Sequence, residues 1–237
     1  MLKHVVLLLM GIILIFTWMN GARASPIPIT NASFESQSLN DGQYISSITG
    51  WIGWSGGPGG GGSYGVFNPK TAHFPSQAPE GYNTAYSNGG DFYQWLKDPV
   101  SGQNITLQPG LYTLTVKVGD RLDVITPFPG YVVRFQASYN NNHVILAEDY
   151  SSLTPANGSF ITSTVTFNAT PNNSSIGQPL VIALANLGGV QVNFDDVQLD
   201  YNPVHTPEPS TIILMGCGLI GLLGVVIKQS RKKSDNS

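Results

Sequence analysis

The chain has 237 residues, 41% hydrophobic and only 11% charged, with a formal net charge of −3 and a single cysteine. The basic residues gather at the two ends, so residues 25–206 carry five Lys and Arg against twelve Asp and Glu, a net charge of −7. That balance excludes a nucleic-acid partner, which needs clustered Lys and Arg to neutralise phosphates. The lone Cys217 excludes a disulfide and a thiol nucleophile in the body of the chain.

Residues 1–24 read as a signal peptide. Lys3 and His4 form a short basic start, residues 5–18 an apolar run of 14, and Ala22-Arg23-Ala24 an A-x-A site with cleavage after Ala24. The alternative is a membrane anchor, but 14 residues at 1.5 Å each cover about 21 Å, short of a ~30 Å hydrocarbon core.

Residues 25–202 suffice for one domain. Short runs alternate apolar and polar residues between Gly, Pro and Asn clusters, which predicts strands. The early candidates are 29–35, 48–54, 84–87, 92–96 and 104–107. Clearer ones follow the turn Gln108-Pro109-Gly110: 111–118, then 131–139 and 143–148 about Asn140-Asn141-Asn142, then 160–167, 180–185, 190–194 and 197–201. No stretch holds a 3.6-residue period, so the domain is expected to be all-β, a β-sandwich of the jelly-roll kind. Residues 55–65 carry a glycine run that is entropically costly to order, which predicts a mobile surface loop. It is either a tolerated insertion or a flexible lip over a binding face.

Past a linker at 203–210 containing Pro207-Glu208-Pro209, residues 211–227 form a second apolar run, long enough to span a membrane as a helix. Lys228, Arg231, Lys232 and Lys233 hold the tail at 228–237 on the cytoplasmic side. Both ends therefore place the domain outside the inner membrane.

Catalytic signatures are sparse. His73 and His143 lie far apart, in apparent loops, and no G-x-S-x-G, H-E-x-x-H or Cys/His metal spacing occurs. The glycine run lacks the Lys-Ser/Thr ending of a phosphate loop. Glu35, Glu80, Glu148, Asp149, Asp195 and Asp196 offer carboxylates for a glycosidase pair, but no base, orienting group and donor can be named together. A non-catalytic protein is expected. Asp195 and Asp196 fall between the inward residues Phe194 and Val197, which suggests a bulge aiming an acid at the core edge. A structural calcium bridging Glu35 and Asp196 would staple first and last strands; the alternative is that these acids are surface groups or turn caps.

Thr206-Pro207-Glu208-Pro209-Ser210, the apolar run with Gly216, Gly218, Gly221 and Gly224, and the cluster from Lys228 to Lys233 resemble the PEP-CTERM sorting domain. That resemblance implies export in a bacterium with a Gram-negative type of envelope, removal of the leader by signal peptidase, and processing by an exosortase near Pro-Glu-Pro. The inner membrane would hold the chain before processing, and the cell surface or an exopolysaccharide matrix afterwards. Ice binding, sometimes linked with such tails, is disfavoured because regular Thr-x-Thr ladders are missing. The body, through Asn31-Ala-Ser-Phe-Glu35, Gly50-Trp51, residues 107–116 and Val192-Asn-Phe-Asp-Asp-Val-Gln-Leu199, resembles galactose-binding-like jelly rolls of carbohydrate-binding modules. This implies a calcium at Glu35 with Asp196 or Asp195, and a polysaccharide ligand stacked on exposed aromatics. Trp54 and Tyr64 lead the candidates because they flank the glycine run; Trp51, Tyr82 and Tyr86 follow, while Trp51 and Trp95 are expected to fill the core. A surface or adhesive protein without a small ligand is the alternative.

Overall fold

The computed structural model describes residues 24–54, 57–139, 142–204, 216 and 218. The chain divides into two compact units, Met1–Pro203 and Val204–Ser237. The expected signal peptide lies outside the described residues apart from Ala24. So do the Pro-Glu-Pro element, the basic cluster and the expected spanning helix, apart from Gly216 and Gly218, which are helical. Among the described residues no helix is long and apolar enough to cross a membrane.

The first unit is all-β. Its strands are β1 (Ser25–Pro26), β2 (Tyr44–Ile45), β3 (Ile52–Trp54), β4 (Ser63–Phe67), β5 (Thr84–Asn88), β6 (Asp91–Trp95), β7 (Gly110–Asp120), β8 (Tyr131–Tyr139), β9 (Asn142–Tyr150), β10 (Ser159–Ala169), β11 (Leu180–Asn186) and β12 (Val192–Pro203). They form two antiparallel sheets. One runs β10-β7-β12-β5-β4-β2, with β1 paired to the second half of β12; the other runs β3-β6-β11-β8-β9. Alternation decides what fills the space between them. From the five-stranded sheet come Phe92, Leu96, Leu180, Ile182, Leu184, Tyr131, Val133 and Phe135, and from the other Leu114, Val116, Val118, Phe194 and Leu199. Phe92 is the aromatic hub, meeting the rings of Phe34, Trp51, Tyr64 and Phe194.

The expected strand at 29–35 is instead a turn. Asn31 and Phe34 adopt positive φ, 53° and 61°, an uncommon choice for side-chain-bearing residues. Asn31 Oδ1 accepts the Ser36 amide, and the turn drops Phe34 fully into the core. Residues 104–107 make only isolated bridges, Asn104 to Lys97 and Thr106 to Pro179. The two segments expected at 190–194 and 197–201 are one strand, broken in register between Asp195 and Gln198 by the expected bulge.

Candidate active site

The outward residues of the five-stranded sheet build the site. On the central strand β11 they are small: Val181, Ala183 and Ala185. Each is at most 3% exposed although it faces away from the core. Larger side chains flank them, Asp91, Tyr93 and Trp95 on β6, and Val132, Arg134 and Gln136 on β8, with Ser138 next along that strand. The result is a trough along β11.

Rings close over it from both edges. Five strands at about 4.8 Å would hold β3 and β9 about 19 Å apart if the sheet were flat. Yet Trp54 on β3 stacks with His143 on β9 at 6.4 Å between centroids and 14° between planes. Tyr93 and Trp95 meet the same imidazole edge-on at 5.1 and 5.6 Å. Sheet curl and inward-leaning side chains thus cover the trough floor. At one end, Ile52 and Trp95 border an open cleft of about 450 Å³ that also has Thr30, Gln94, Lys97 and Asn104 on its walls.

Polar groups are embedded in this apolar cover. Arg134 Nε donates to Glu148 Oε2 at 2.8 Å. Asp91, 1% exposed, is the cross-strand neighbour of Trp54. Its Oδ2 accepts the Gly59 amide at 3.2 Å, whereas among the described residues Oδ1 is buried without a partner. Burial pushes its carboxyl up to about 6, against the pull of the Gly59 amide, the Arg134 charge and the Asn186 backbone. Gln136 Oε1 and Ser138 Oγ are likewise buried and unpartnered. A carboxyl that keeps its proton up to about pH 6, with an aromatic residue as its cross-strand neighbour, can serve as a general acid.

The glycine run belongs to this site rather than to a free loop. A Cβ on Gly57 would overlap Asp91 Oδ2, and one on Gly59 would collide with the carbonyls of Gly89 and Asn186. The residues are glycine because the backbone presses directly on the acid, a close approach that only a missing side chain permits.

The aromatic candidates are dispersed. Trp54 lies on the trough. Tyr64, on the other sheet, turns into the core and stacks on Phe92 at 5.8 Å. Trp51 is buried against Phe34 and Phe92. Tyr86 is buried and meets Tyr44, while Tyr82 is 70% exposed in the loop before β5. Trp95, expected in the core, is half-buried on the outer face, because alternation from the inward Phe92 and Leu96 turns it out. Asp91, Tyr93, Gln136, Ser138 and a site role for His143 escaped sequence reasoning. The available signal was the outward register of Asp91, Tyr93 and Trp95.

The acids at the first turn and the bulge both hold the loop before β5. Glu35 Oε1 accepts the Tyr82 and Asn83 amides at 2.8 and 2.6 Å, and Asn83 Nδ2 donates to Glu35 Oε2 and to the Gln37 carbonyl. Asp195 is fully buried; its Oδ2 accepts the Glu80 amide and its Oδ1 the Asp196 amide. Burial pushes the Asp195 carboxyl up to about 8. Asp196, at φ 46°, turns its side chain to Gln198. Among the described residues Gln37 Oε1 and Asn83 Oδ1 are buried without partners. No group of three His, Cys, Asp or Glu is gathered for a metal among the described residues.

Three solved structures resemble this chain along nearly their whole lengths. A cyclase from Fischerella sp., in its apo form, is 30% identical, with a TM-score of 0.65 over 77% of this chain and 98% of its own. The Stig cyclase Fisc from Fischerella sp. TAU, in complex with (3Z)-3-(1-methyl-2-pyrrolidinylidene)-3H-indole, is 32% identical, with a TM-score of 0.64 over 77% and 100%. A cyclase from Fischerella sp. TAU in complex with 4-(1H-indol-3-yl)butan-2-one is 33% identical, with a TM-score of 0.64 over 77% and 100%. No curated protein matches the chain. The PEP-CTERM protein-sorting motif is found at residues 205–232, which marks an exosortase-sorted protein exported to the cell surface or beyond. The expectation of a non-catalytic protein is overturned, because the relatives are cyclases and cyclases are enzymes. The family described as HpiC1 cyclase matches residues 25–200, all but a few residues of the β-sandwich, and the chain belongs to that family.

Proposed function

We propose that this protein is an exported cyclase that closes a carbon ring by proton transfer in the trough of the five-stranded sheet. The observation that carries the reading is Asp91. One of its oxygens accepts the Gly59 amide, the other has no hydrogen-bond partner among the described residues, burial raises its carboxyl to about 6, and its cross-strand neighbour is Trp54. Asp91 gives its proton to an unsaturated carbon of the substrate. A second π bond of the same molecule attacks the resulting cation and forms the ring bond. A proton leaves the adjacent carbon and returns to the Asp91 carboxylate, so the product is an isomer of the substrate and no co-reactant is consumed. Trp54, Tyr93 and Trp95 offer π faces to the positive charge that develops, and they keep water, a competing nucleophile, from it.

The indole ligands in the similar cyclases point to an aromatic substrate with an unsaturated side chain. Incubation of the purified protein with indoles bearing an alkenyl chain at C3 tests this. A ring-closed product of unchanged mass is expected, and Asp91→Asn should reduce its formation at least a hundredfold, within the usual range for a positioned acid. Full turnover by the Asn variant would refute the assignment.

A polysaccharide ligand is the second reading. The half-buried Trp95 and the polar Lys97 and Asn104 at the open cleft favour it. Binding on a glycan array that survives Asp91→Asn but not a Trp95→Ala change would select it.

We infer further that a structural calcium, the hard cation suited to an all-oxygen site, is held by Glu35 and Asp195, with Gln37 and Asn83 supplying neutral oxygens. Asp195 is preferred to Asp196 because Asp196 is engaged with Gln198. The cation would compensate the charge that burial opposes on Asp195 and fix the turn that shapes the first strand. We also infer that residues 211–227 anchor the chain in the inner membrane until the exosortase acts. Mass spectrometry of the mature protein should find a C-terminus lacking Lys232 and Lys233.

A further inference from the structure

His143 sits where a ligand ring would be expected. Among the described residues its side chain is held by rings alone, stacked on Trp54 and edged by Tyr93 and Trp95, with no hydrogen bond or ion pair. Burial lowers its pKa, so near neutral pH it is an uncharged planar heterocycle. Its cross-strand partner is Ser138, whose Oγ is buried and unpartnered, and Gln136 Oε1 beside it shares that state. Such groups are rare in folded proteins and ask for an explanation. The trough therefore has a filled aromatic slot above unfilled polar positions.

We propose that His143 is a side-chain gate, an imidazole occupying the slot into which a planar ring of the substrate stacks, and that it swings out to admit that ring. The inference rests on the cyclase reading and names a residue that controls access to its site. Several features make the exchange easy. Leaving the slot breaks no hydrogen bond. A ring that replaces the imidazole keeps the Trp54, Tyr93 and Trp95 faces covered, and a polar group on the incoming molecule gives Gln136 or Ser138 the partner it lacks. β9 is the edge strand of its sheet, paired only with β8. The second residue of such a strand can turn about its side-chain torsions without disturbing a further ladder. The imidazole also keeps water off the trough floor until a ring arrives.

The test uses 4-(1H-indol-3-yl)butan-2-one as the ring ligand. The histidine Cε1–H resonances are followed by NMR in the full-length protein, where only four histidines contribute. In the stacked position the His143 signal is shifted upfield by its aromatic neighbours, and saturation with ligand should return it toward the free-imidazole position. His143→Ala, with the slot already empty, should bind the ligand about fivefold more tightly, and His143→Trp about fivefold more weakly. Binding to the unmodified protein with the His143 signal unmoved, or no gain in affinity for His143→Ala, overturns the gate and leaves the cyclase reading standing. Absence of binding to every form overturns both. The NMR arm needs no substitution, so a variant that fails to fold does not rescue the proposal.

Discussion

Asp91→Asn removes a buried proton site while leaving the shape of the side chain nearly unchanged, and its effect on stability has a definite sign. The Asp91 carboxyl is pushed from 3.8 to about 6 by burial. Between those values the unfolded chain sheds a proton that the folded protein keeps. Unfolding free energy therefore falls as pH rises from about 3.8 to about 6, then levels off. A shift of about two pH units corresponds to about 3 kcal/mol. The Asn variant lacks this titration. Below pH 4 it is expected to be less stable than the unmodified protein, because its amide nitrogen takes the unpartnered Oδ1 position. By pH 7 the difference should have moved by about 3 kcal/mol in favour of the variant. Urea unfolding of both proteins at pH 4, 5, 6 and 7 gives the difference directly, since all other titrating groups cancel. Parallel stability profiles would refute a carboxyl held neutral by the fold, and with it the case for Asp91 as an acid. The same substitution removes the proposed catalytic proton, so stability above pH 6 and turnover are expected to move in opposite directions.

Gly59→Ala is expected to push the glycine run off the Asp91 carboxyl. Water then reaches the acid, and its titration, read by carboxyl 13C NMR, should move below 6 toward the ordinary range; an unmoved midpoint would detach the run from the site. Calcium should raise the melting temperature, more at pH 8.5 than at pH 5, because the Asp195 carboxyl must lose a proton held to about 8 before it can bind a cation. Glu35→Gln should abolish most of that rise, and an equal response in the presence of EDTA would count against the site. Phe92→Ala should cost about 3–5 kcal/mol in denaturant unfolding, since it empties the hub of four ring contacts; a loss under 1 kcal/mol would mean that the rings repack freely.

The sandwich was legible because its inner faces obey a period of two. Leu114, Val116 and Val118 alternate with polar residues on β7, and the break between Phe194 and Val197 announced the bulge. The site was harder to read because it depends on distance in space. Nothing in the sequence near Trp54 says that a histidine on β9 will stack upon it, since that pairing comes from the curl of five strands. Asp91 looked like one surface acid among twelve, because its burial is imposed by glycines some thirty residues earlier. The same glycines suggested freedom when read as composition. Compressed against the acid, they serve the opposite purpose. Tyr64 was chosen for its place beside that run, yet β4 belongs to the other sheet and carries the ring into the core.

Burial raises three carboxyls in this fold, Asp91, Asp120 and Asp195, and the surroundings of Asp91 and Asp195, the two raised furthest, give them different work. Asp195 has both oxygens occupied by backbone amides, from Glu80 and Asp196, and no solvent access. A group with both oxygens engaged by amides has no position open to a substrate; it can tie a loop to the last strand and neutralise a cation. Asp91 has one oxygen tied to the Gly59 amide and one without a hydrogen-bond partner among the described residues, and its cross-strand neighbour is Trp54. An elevated pKa alone would rank Asp195 first as an acid, since its shift is the larger. The unfilled hydrogen-bond position on Asp91 reverses that order. The catalytic assignment therefore rests on the unpartnered Oδ1 of Asp91 and the trough beside it, and the pKa serves only to say that the proton is there to give.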